Sequence, residues 1–396
     1  MSKWQTFYLK DLGKIVGGAT PSTNNPKNYG NKIAWITPKD LSTLQGRYIK
    51  KGSRSISRLG FKSCSCVLLP KHAILFSSRA PIGYVAIAKK RLCTNQGFKS
   101  IIPNKKIYFE FLYYLLKYHK DNISNIGGGT TFKEVSGTTL GLFEVKIPPT
   151  YYEQQKIART LSVLDQKIEN NHKINELLHK ILELLYEQYF VRFDFLDENN
   201  KPYQTSGGKM KFSKELNRLI PSGWSVRFLN HKIVSTYQPK TISKTLLNDS
   251  YSYSVYGSGG IIGRFTEYNH EQSEFIISCR GQCGISYLTL PKSWITSNAM
   301  VIRPTKSYTS KTYLYHTIKK YKLTNYITGS VQPQITRQNL STMPILIPKR
   351  KTLNKWNNIS SLLWNLIHNN MQETQTLTAL RDFLLPLLLT QQVKPQ

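Results

Sequence analysis

The sequence has few of the residues from which metal sites and disulfide frameworks are built. Five cysteines occur in 396 residues, at positions 64, 66, 93, 279 and 283. They do not form two C-x-x-C pairs, so their spacing supports neither a disulfide framework nor a zinc site. The eight histidines include no H-x-x-x-H or H-E-x-x-H pair. We therefore expect no metal site in this chain, and we interpret the cysteines as buried or half-buried thiols.

Long apolar runs are also missing. No run approaches the ~20 residues that a membrane-spanning helix needs, and the N-terminal MSKWQTFYLKD contains no apolar signal region. We expect a cytoplasmic protein with no membrane partner. Since 40% of the residues are apolar, the chain can still build folded cores.

Motifs for catalysis and nucleotide binding are absent or incomplete. IPPTYY (147–152) is similar to the N-P-P-Y loop of amino-methyltransferases, but Ile147 stands where Asn or Asp would grip the target amine. VYGSGGIIG (255–263) is followed by a β-type run, which favours a turn over a phosphate loop. Asp165-Gln166-Lys167 has the D-x-K spacing of many nucleases without a companion carboxylate pair, and we interpret it as a solvated helix face. We expect no catalytic residue and no enzyme activity in the chain by itself.

Acidic residues are scarce, and the excess of basic residues is unevenly distributed. The chain has 55 Lys and Arg against 22 Asp and Glu, a net charge of +33. Residues 1–150 carry +18 and residues 201–350 carry +16, whereas residues 151–200 carry −3 and residues 351–396 carry +2. A polyanion would be bound by the two basic blocks, through phosphate contacts and counterion release. A generally basic proteome is the alternative, but it would not explain this segregation.

The chain is a tandem duplication. LDQKIENN (164–171) is similar to LWNLIHNN (363–370), and GTTFKEVSGTTLGLFEVKIP (129–148) aligns with GSVQPQITRQNLSTMPILIP (329–348). SSRAPIGYVAI (77–87) aligns with SCRGQCGISYL (278–288), which places Arg79 over Arg280. The period exceeds the roughly 20–50 residues of solenoid repeats, so each half is a full domain with a tail.

Both tails have the spacing of long helices. From Ile157, alternate steps of four and three residues reach eight apolar side chains among ten, which is the heptad seam of a coiled coil. Thr150 and Glu153 have the spacing of a capping box, and a helix over 153–190 would be about 57 Å long. The seam that starts at Trp356 has only six apolar positions of ten, includes Arg381, and contains Pro386, which should break its last turn.

These patterns predict an α+β protein, in which two α/β domains in tandem repeat are separated by two long helices packed as an antiparallel coiled coil. Two independent amphipathic helices, each covering its own domain, are the alternative. The predicted parts are a first domain at 1–150, a first spacer helix at 151–193, a linker at 194–223, a second domain at 224–350 and a second spacer helix at 351–390.

Four stretches carry a resemblance to a known family. They are IPPTYYEQQKIARTLSVLDQKIENNHKINELLHKILELLYEQYFVRF (147–193), KPYQTSGGKM with IPSGW (201–224), YGSGGIIGRF with IISCRGQCG (256–284), and TGSVQPQITRQNLSTMPILIP (328–348). Over almost its whole length the chain resembles the specificity subunits of type I restriction–modification enzymes. The resemblance implies two target-recognition domains, each reading one half of a split site in double-stranded DNA, and a helical spacer that docks two modification subunits.

The same resemblance assigns the chemistry to partner subunits. Methylation with S-adenosylmethionine belongs to the modification subunits, and translocation and cleavage, with ATP and Mg²⁺, belong to the restriction subunits. No cofactor is therefore expected in this chain. The motifs missing from the sequence agree with such a role.

The two domains differ at matched positions, which predicts an asymmetric target. Residues 131–134 are Thr-Phe-Lys-Glu, and residues 331–334 are Val-Gln-Pro-Gln. Different side chains present different donors and acceptors to base edges. The candidate DNA contacts are Arg79, Gln96, Thr130, Thr131 and Lys133 in the first domain, and Tyr256, Ser258, Arg280, Gln332, Gln334 and Arg337 in the second. For each of them a purely structural loop role is the alternative.

Three other functions fit parts of the sequence. A tandem RNA-binding protein would prefer single strands, and a coiled-coil scaffold with basic blocks would bind any polyanion equally. A self-contained restriction or methylation enzyme would need the motifs that this chain lacks.

Overall fold

The structure is a computed structural model that describes residues 3–129, 133–249 and 251–395. The chain forms two compact units. The first unit comprises Met1–Lys173 with Met371–Gln396, and the second comprises Ile174–Asn370. Each unit thus combines one basic block with one stretch of each long helix. The domain boundaries drawn from the sequence stay predictions.

The first unit is built from short strands and helices before its long helix. Its strands are β1 (Gln5–Tyr8), β2 (Gly13–Gly17), β3 (Tyr29–Ile36), β4 (Tyr48–Ile49), β5 (Arg54–Ile56), β6 (Ile74–Ser78), β7 (Ile82–Ala88), β8 (Cys93–Thr94), β9 (Lys99–Pro103) and β10 (Glu144–Ile147). Its helices are α1 (Leu9–Leu12), α2 (Pro38–Ser42), α3 (Arg58–Lys62), α4 (Phe109–Tyr118), α5 (Lys120–Asn125), α6 (Gly137–Gly141) and the first part of α7 (Tyr151–Tyr186). The strands form sheets in the orders β2-β9-β6-β7-β4, β5-β3-β8 and β1-β10.

The second unit contains a longer set of strands. They are β11 (Met210–Ser213), β12 (Arg218–Pro221), β13 (Ser225–Phe228), β14 (Val234–Tyr237), β15 (Tyr253–Gly257), β16 (Gly260–Phe265), β17 (Phe275–Ser278), β18 (Ser286–Leu288), β19 (Trp294–Ile295), β20 (Ala299–Pro304), β21 (Ile327–Thr328), β22 (Gln334–Ile335) and β23 (Pro344–Ile347). Its helices are the end of α7, a π-helical turn at Glu187–Val191, α8 (Lys311–Lys320), α9 (Arg337–Ser341) and the first part of α10 (Arg350–Leu389). The sheet orders are β14-β20-β17-β18, β16-β15-β19, β13-β23, β11-β12 and β21-β22.

The two units repeat one plan. In the first, β1 pairs antiparallel with β10, with Gln5 opposite Ile147, and in the second β13 pairs with β23, with Ser225 opposite Ile347. The antiparallel pair β6–β7 corresponds to β17–β18, and α4 corresponds to α8. Strands and helices therefore recur at the duplicated positions, and the mixed α and β composition predicted from the sequence is confirmed.

The central strands of both units consist largely of consecutive apolar residues, and both of their faces are buried. All five residues of β6 (ILFSS) and all four of β17 (FIIS) are buried, which suits a continuous apolar run rather than an alternating one. The helices predicted near 108–120 and 311–322 are confirmed as α4 and α8. In the first unit, α4 packs in one core with the start of α7 and with the end of α10.

The long helices begin and continue as predicted. The Glu153 backbone N–H donates to Thr150 Oγ1 at 3.2 Å, so a threonine at the start of α7 satisfies one of the helix's free donors. In the first unit, Arg381 contacts Asp165 at 2.7 Å and Asn171 contacts Thr374 at 3.4 Å. Residue numbers rise on one helix as they fall on the other, so the two stretches run antiparallel in that unit.

The second unit repeats this pairing with its own residues. Asn370 Nδ2 donates to Asn175 Oδ1 at 2.8 Å, and the rings of His179 and Trp364 lie 5.1 Å apart. These pairs also run in opposite directions along the two helices. The polar pair at the seam, predicted from the sequence, therefore makes hydrogen bonds between the helices.

Pro386 does not break the last turn of the second helix, contrary to the sequence-based expectation. The helix α10 continues through it to Leu389. Leu385, Leu388 and Leu389 are buried in the core of the first unit, and the Thr390 backbone N–H donates to Pro386 O at 2.9 Å. Burial of these three leucines outweighs the single hydrogen bond that proline cannot make.

Asp165 is buried rather than solvated, which corrects a second expectation. Its side chain is 5% exposed and accepts from Arg381 at 2.7 Å and from the Tyr114 hydroxyl at 2.5 Å, with Arg47 at 4.0 Å. Arg381, an odd residue in a heptad seam, is thereby the partner of a buried carboxylate. Burial, and then the charge of Asp165, raises the pKa of Tyr114, so this hydroxyl stays a donor at neutral pH.

The segment predicted as a linker is folded. Residues 194–223 include the hairpin β11–β12, and Phe195 stacks on Trp224 with ring centroids 5.2 Å apart. Trp224 also contacts Phe193 edge-on at 5.6 Å. Aromatic burial therefore fixes the entry of the chain into the second unit.

The structure bears on two sequence-based expectations, the one about membrane-spanning helices and the one about the cysteines. Over 3–129, 133–249 and 251–395, no helix combines the length and the apolar character needed to cross a membrane. All five cysteines are free, three buried and two half-buried, which confirms the thiol interpretation.

Candidate nucleic-acid interface

At one edge of the first unit, three loops converge on the end of β6. The Val135 backbone N–H donates to Ser78 O at 3.0 Å, and the Ser78 N–H donates to Gly97 O at 2.8 Å. Gly128 and Glu134 exchange backbone hydrogen bonds of 3.0 and 2.8 Å. Residues that are far apart in sequence thus meet next to Arg79.

Glu134 binds two cations at this edge. Arg79 lies 3.5 Å from one carboxylate oxygen, and Lys99 Nζ lies 3.1 Å from the other. The side chains are 37%, 21% and 34% exposed for Arg79, Lys99 and Glu134, so base edges could still reach them. Lys133 follows the same loop and is exposed. We call Arg79, Lys99, Lys133 and Glu134 the first tip cluster.

Gln96 lies at the same edge, on the loop after β8. It precedes Gly97, whose carbonyl accepts from Ser78, and its own side-chain oxygen accepts from the Thr20 hydroxyl. The side chain is exposed. Thr130 and Thr131, the other candidates of the first domain, lie outside the described residues.

The second unit has an equivalent edge at the end of β17. The Ile335 backbone N–H donates to Cys279 O at 3.0 Å, and Arg280 forms an antiparallel bridge with Gln334. The hairpin β21–β22 takes the place of the backbone pairing between Gly128 and Glu134. Arg280 and Gln334 are exposed. We call Ser258, Arg280, Gln332, Gln334 and Arg337 the second tip cluster.

The remaining second-unit candidates lie around this pair. Ser258 is half-buried and packs close to Gly281, because a Cβ on that glycine would lie 3.2 Å from the serine hydroxyl. Gln332 is exposed in the hairpin loop, and Arg337 is exposed at the start of α9. The sequence therefore placed most of its candidates on one edge of each unit.

Tyr256 is placed differently from the other candidates. Its side chain is 3% exposed, and its hydroxyl accepts a hydrogen bond from the Leu290 N–H at 3.0 Å. Burial raises the pKa of this hydroxyl to about 12. This geometry favours the structural role that was the alternative for Tyr256.

Sequence reasoning did not select Lys99 and Glu134. Neither is unusual by spacing, since Lys99 is one of many lysines and begins β9. Glu134 could have been selected from the sequence, because it aligns with Gln334 and the side chain changes its charge between these matched positions.

An exposed apolar strip on the helices was also missed. In the second unit its members are Ile174, Leu177, Ile181, Leu184, Ile359, Leu362 and Leu366, all at least 37% exposed. Each directly precedes a seam position, and in an antiparallel pair residues at the same offset from the seam lie on one flank. We call this set the apolar flank. In the first unit Val163, Leu380 and Phe383 have the same offset and are also exposed.

Comparisons with known proteins agree on one family. The model of the type I restriction modification DNA specificity domain matches residues 1–180 and 221–379. The chain is 33% identical to the MjaIX type I restriction enzyme specificity subunit of Methanocaldococcus jannaschii, over 97% of this chain and 92% of that protein. It is 31% identical to the HindI specificity subunit of Haemophilus influenzae, over 46% of this chain and 40% of that protein.

A solved structure shares the fold. It is the S subunit of a type I restriction–modification system from M. genitalium, with a TM-score of 0.62 and 19% identity. The superposition covers 98% of this chain and 96% of that one.

Proposed function

The chain belongs to the family defined by the type I restriction–modification DNA specificity domain, and on this basis we propose that it selects the DNA sequence for a type I restriction–modification complex. Each unit reads one half of a split site through its tip cluster. The observation that carries the proposal is the recurrence of the same loop edge in both units, with an arginine at the matched position, Arg79 half-exposed and Arg280 exposed. Arginine is the residue that most often reads guanine in the major groove.

Charge supports DNA as the partner. The two blocks that supply the tip clusters carry +18 and +16, and the stretches that supply the long helices are nearly neutral. Lysine and arginine at the blocks would neutralise phosphates, which fixes register on the duplex without sequence preference. Base contacts from the tip clusters then add the preference.

The target is split and asymmetric. Two readers on one chain present two half-sites, and half-sites on one face of a duplex lie about 34 Å apart, one helical turn. The two tip clusters carry different side chains, with Glu134 in one and Gln334 in the other. A palindromic site would require matched clusters.

The two long helices form the spacer, as an antiparallel coiled coil. The antiparallel pairs within each unit, Asp165 with Arg381 in the first and Asn175 with Asn370 in the second, support this arrangement. Buried asparagines at seam positions lower stability but fix register and orientation.

The helices also dock the modification subunits. The apolar flank is the support, because seven exposed apolar residues aligned on one side of a helix pair are more than a solvated surface needs. The first unit has its own smaller set at Val163, Leu380 and Phe383. Two such surfaces would suit two copies of one partner.

The reactions belong to the partner subunits. The sequence of this chain lacks complete motifs for methyl transfer, for ATP binding and for cleavage. As the family resemblance implies, we propose that S-adenosylmethionine binds to the modification subunits, and ATP and Mg²⁺ to the restriction subunits. This chain contributes binding energy and orientation.

Selection from a random duplex library tests the proposal. The purified complex of this chain with its modification partner is incubated with the library, and bound duplexes are sequenced. We expect enrichment of two short fixed segments separated by a constant unread gap. Equal recovery of all duplexes would indicate a polyanion-binding scaffold, and preferential capture of single-stranded RNA competitor would indicate an RNA-binding protein; either result would contradict the proposal.

A further inference from the structure

Among the differences between the two tip clusters, one lies directly beside the matched arginine: Glu134 in the first and Gln334 in the second. The backbone around the two positions is equivalent. The next residue, Val135 or Ile335, donates to the end of the neighbouring strand at 3.0 Å in both units. Glu134 and Gln334 therefore occupy matched backbone positions beside an arginine, and their side chains differ in chemistry.

Glu134 places an acceptor next to a donor. Its carboxylate is contacted by Arg79 at 3.5 Å and by Lys99 at 3.1 Å, and a third of its side chain stays exposed. An ionised carboxylate only accepts hydrogen bonds, and an arginine only donates them. The pair thus offers one guanidinium fork and one anionic acceptor, side by side on one edge.

This arrangement is complementary to a G·C base pair. In the major groove guanine presents two acceptors, O6 and N7, and cytosine presents the N4 amino donor. Arg79 would donate to the guanine, and Glu134 would accept from the cytosine. If thymine stood in the place of the cytosine, the carboxylate would face thymine O4, which is an acceptor, and the approach of like partial charges would be unfavourable.

Gln334 suits a different base. Its amide donates and accepts, which matches the N7 acceptor and the N6 amino donor of adenine in a bidentate contact. The change from Glu134 to Gln334 does not make the first cluster less positive than the second, because Lys99 compensates the charge of Glu134 and each edge keeps its arginine. The difference between the two residues therefore concerns base preference more than attraction to phosphate.

We propose that Glu134 and Gln334 are specificity-determining residues of the two readers. Glu134 acts with Arg79 on a G·C pair in one half-site, with its carboxylate on the cytosine. Gln334 acts on an A·T pair in the other half-site, with its amide on the adenine. This assignment deepens the proposed function and rests on it.

Reciprocal substitutions test the assignment. Glu134→Gln and Gln334→Glu are made singly in the full chain, and each complex with the modification partner is used to select from the random duplex library. The backbone bonds at both positions are retained, and a glutamine can still accept from Arg79 and Lys99. The matched control is Glu144→Gln, which removes the same charge from the exposed face of β10 in the first unit.

The position that changes in Glu134→Gln should be a cytosine in the wild-type motif. At that position the variant complex should prefer cytosine over adenine about tenfold less, or lower still, than the wild type does. Gln334→Glu should lower the preference for adenine in the other half-site by a similar factor. The gap and the other half-site should stay constant in each case, and Glu144→Gln should reproduce the wild-type motif.

Two contrary results are distinguishable. A wild-type complex that selects no split motif would overturn the proposed function and this assignment with it. A wild-type split motif that neither substitution alters, or that changes at a position without cytosine for Glu134→Gln, would overturn the assignment alone. Glu134 would then be a structural partner of Arg79 and Lys99.

Discussion

Arg47 is a buried cation that contacts three carboxylates of the first unit. It lies 3.0 Å from Glu110, 3.2 Å from Glu169 and 4.0 Å from Asp165, and its side chain is 3% exposed. Glu110 follows the start of α4, and Asp165 and Glu169 lie on α7. One guanidinium therefore joins the sheet-bearing part of the unit to its long helix. A buried charge network of this kind is costly to break, because the remaining partners lose their compensation.

Arg47→Met should destabilise the protein by about 3–5 kcal/mol, since it removes the cation that Glu110 and Glu169 contact, whereas Asp165 keeps Arg381. The measurement is urea unfolding at neutral pH, followed by circular dichroism. Lys50→Met, which removes an exposed cation nearby in sequence, is the control and should change the midpoint little. Equal midpoints for Arg47→Met and the wild type would show that the network contributes nothing to stability.

His316 predicts a pH dependence of the second unit. It is 3% exposed among the rings of Tyr186, Trp356 and Trp364, and burial, followed by the charge of Lys319, lowers its pKa to about 3. Unfolded histidine has a pKa of about 6.5. Between pH ~6.5 and 3, the histidine is therefore protonated in the unfolded state and neutral in the folded state. The stability that the neutral His316 gives the folded state is complete above pH ~6.5 and is lost as the pH falls toward 3.

The slope of stability against pH should reflect this group. Below pH ~6.5, the free energy of unfolding should fall by about 1.4 kcal/mol per pH unit because of His316. His316→Phe should flatten the fall in the urea midpoint between pH 7.5 and 5, relative to the wild type. His231→Phe, at an exposed position, is the comparison. An unchanged slope in His316→Phe would contradict the argument.

Single residues were the least predictable level from sequence. Asp165 was interpreted as part of a solvated helix face because it has no companion carboxylate pair in the sequence, and Arg381 was an unexpected charged residue in its heptad seam. Their partners lie far away in sequence, with 216 residues between the two numbers. No local pattern indicates such a pair, and the same holds for Lys99 and Glu134, 35 residues apart.

At the scale of elements, the long helices were predictable because their periodicity is local. The heptad seam from Ile157 corresponds to α7, and its apolar positions are buried or half-buried. Pro386 was the exception, since tertiary packing of neighbouring leucines kept the turn helical. The strands were predicted by short apolar runs, although their order in the sheets was not, because pairing depends on contacts between distant segments.

The apolar flank carries a prediction at this scale. Leu177→Glu combined with Leu362→Glu should prevent or weaken binding of the modification subunit, because two charges would be buried in the interface. Both side chains are about 60% exposed, so the fold should remain. Pull-down of the modification subunit by the tagged chain measures the effect.

A control separates docking from general damage to the helices. Glu176→Lys reverses a charge one residue after a seam position, on the opposite flank of α7, and should leave the pull-down unchanged. Full recovery of the partner by the double leucine variant would remove the apolar flank from the docking surface. Circular dichroism of each variant verifies that helical content is retained.

At the scale of the whole molecule, duplication is the feature that connects sequence to function. It was visible as matched stretches about 200 residues apart, and the structure repeats the same plan in both units. The concentration of positive charge in the two blocks was also visible in the sequence. The base sequence that the protein reads was not predictable, since it depends on which few side chains of each tip cluster reach a base edge.

The proposed function requires one chain to carry two different readers of one split DNA site. The decisive measurement is single-molecule sequencing of DNA from cells that express this chain with its modification partner, compared with cells that lack it. We expect a new methylated motif with two unlike fixed half-sites and a constant gap. An assembled complex that adds no such motif, or adds a continuous or palindromic one, would contradict it.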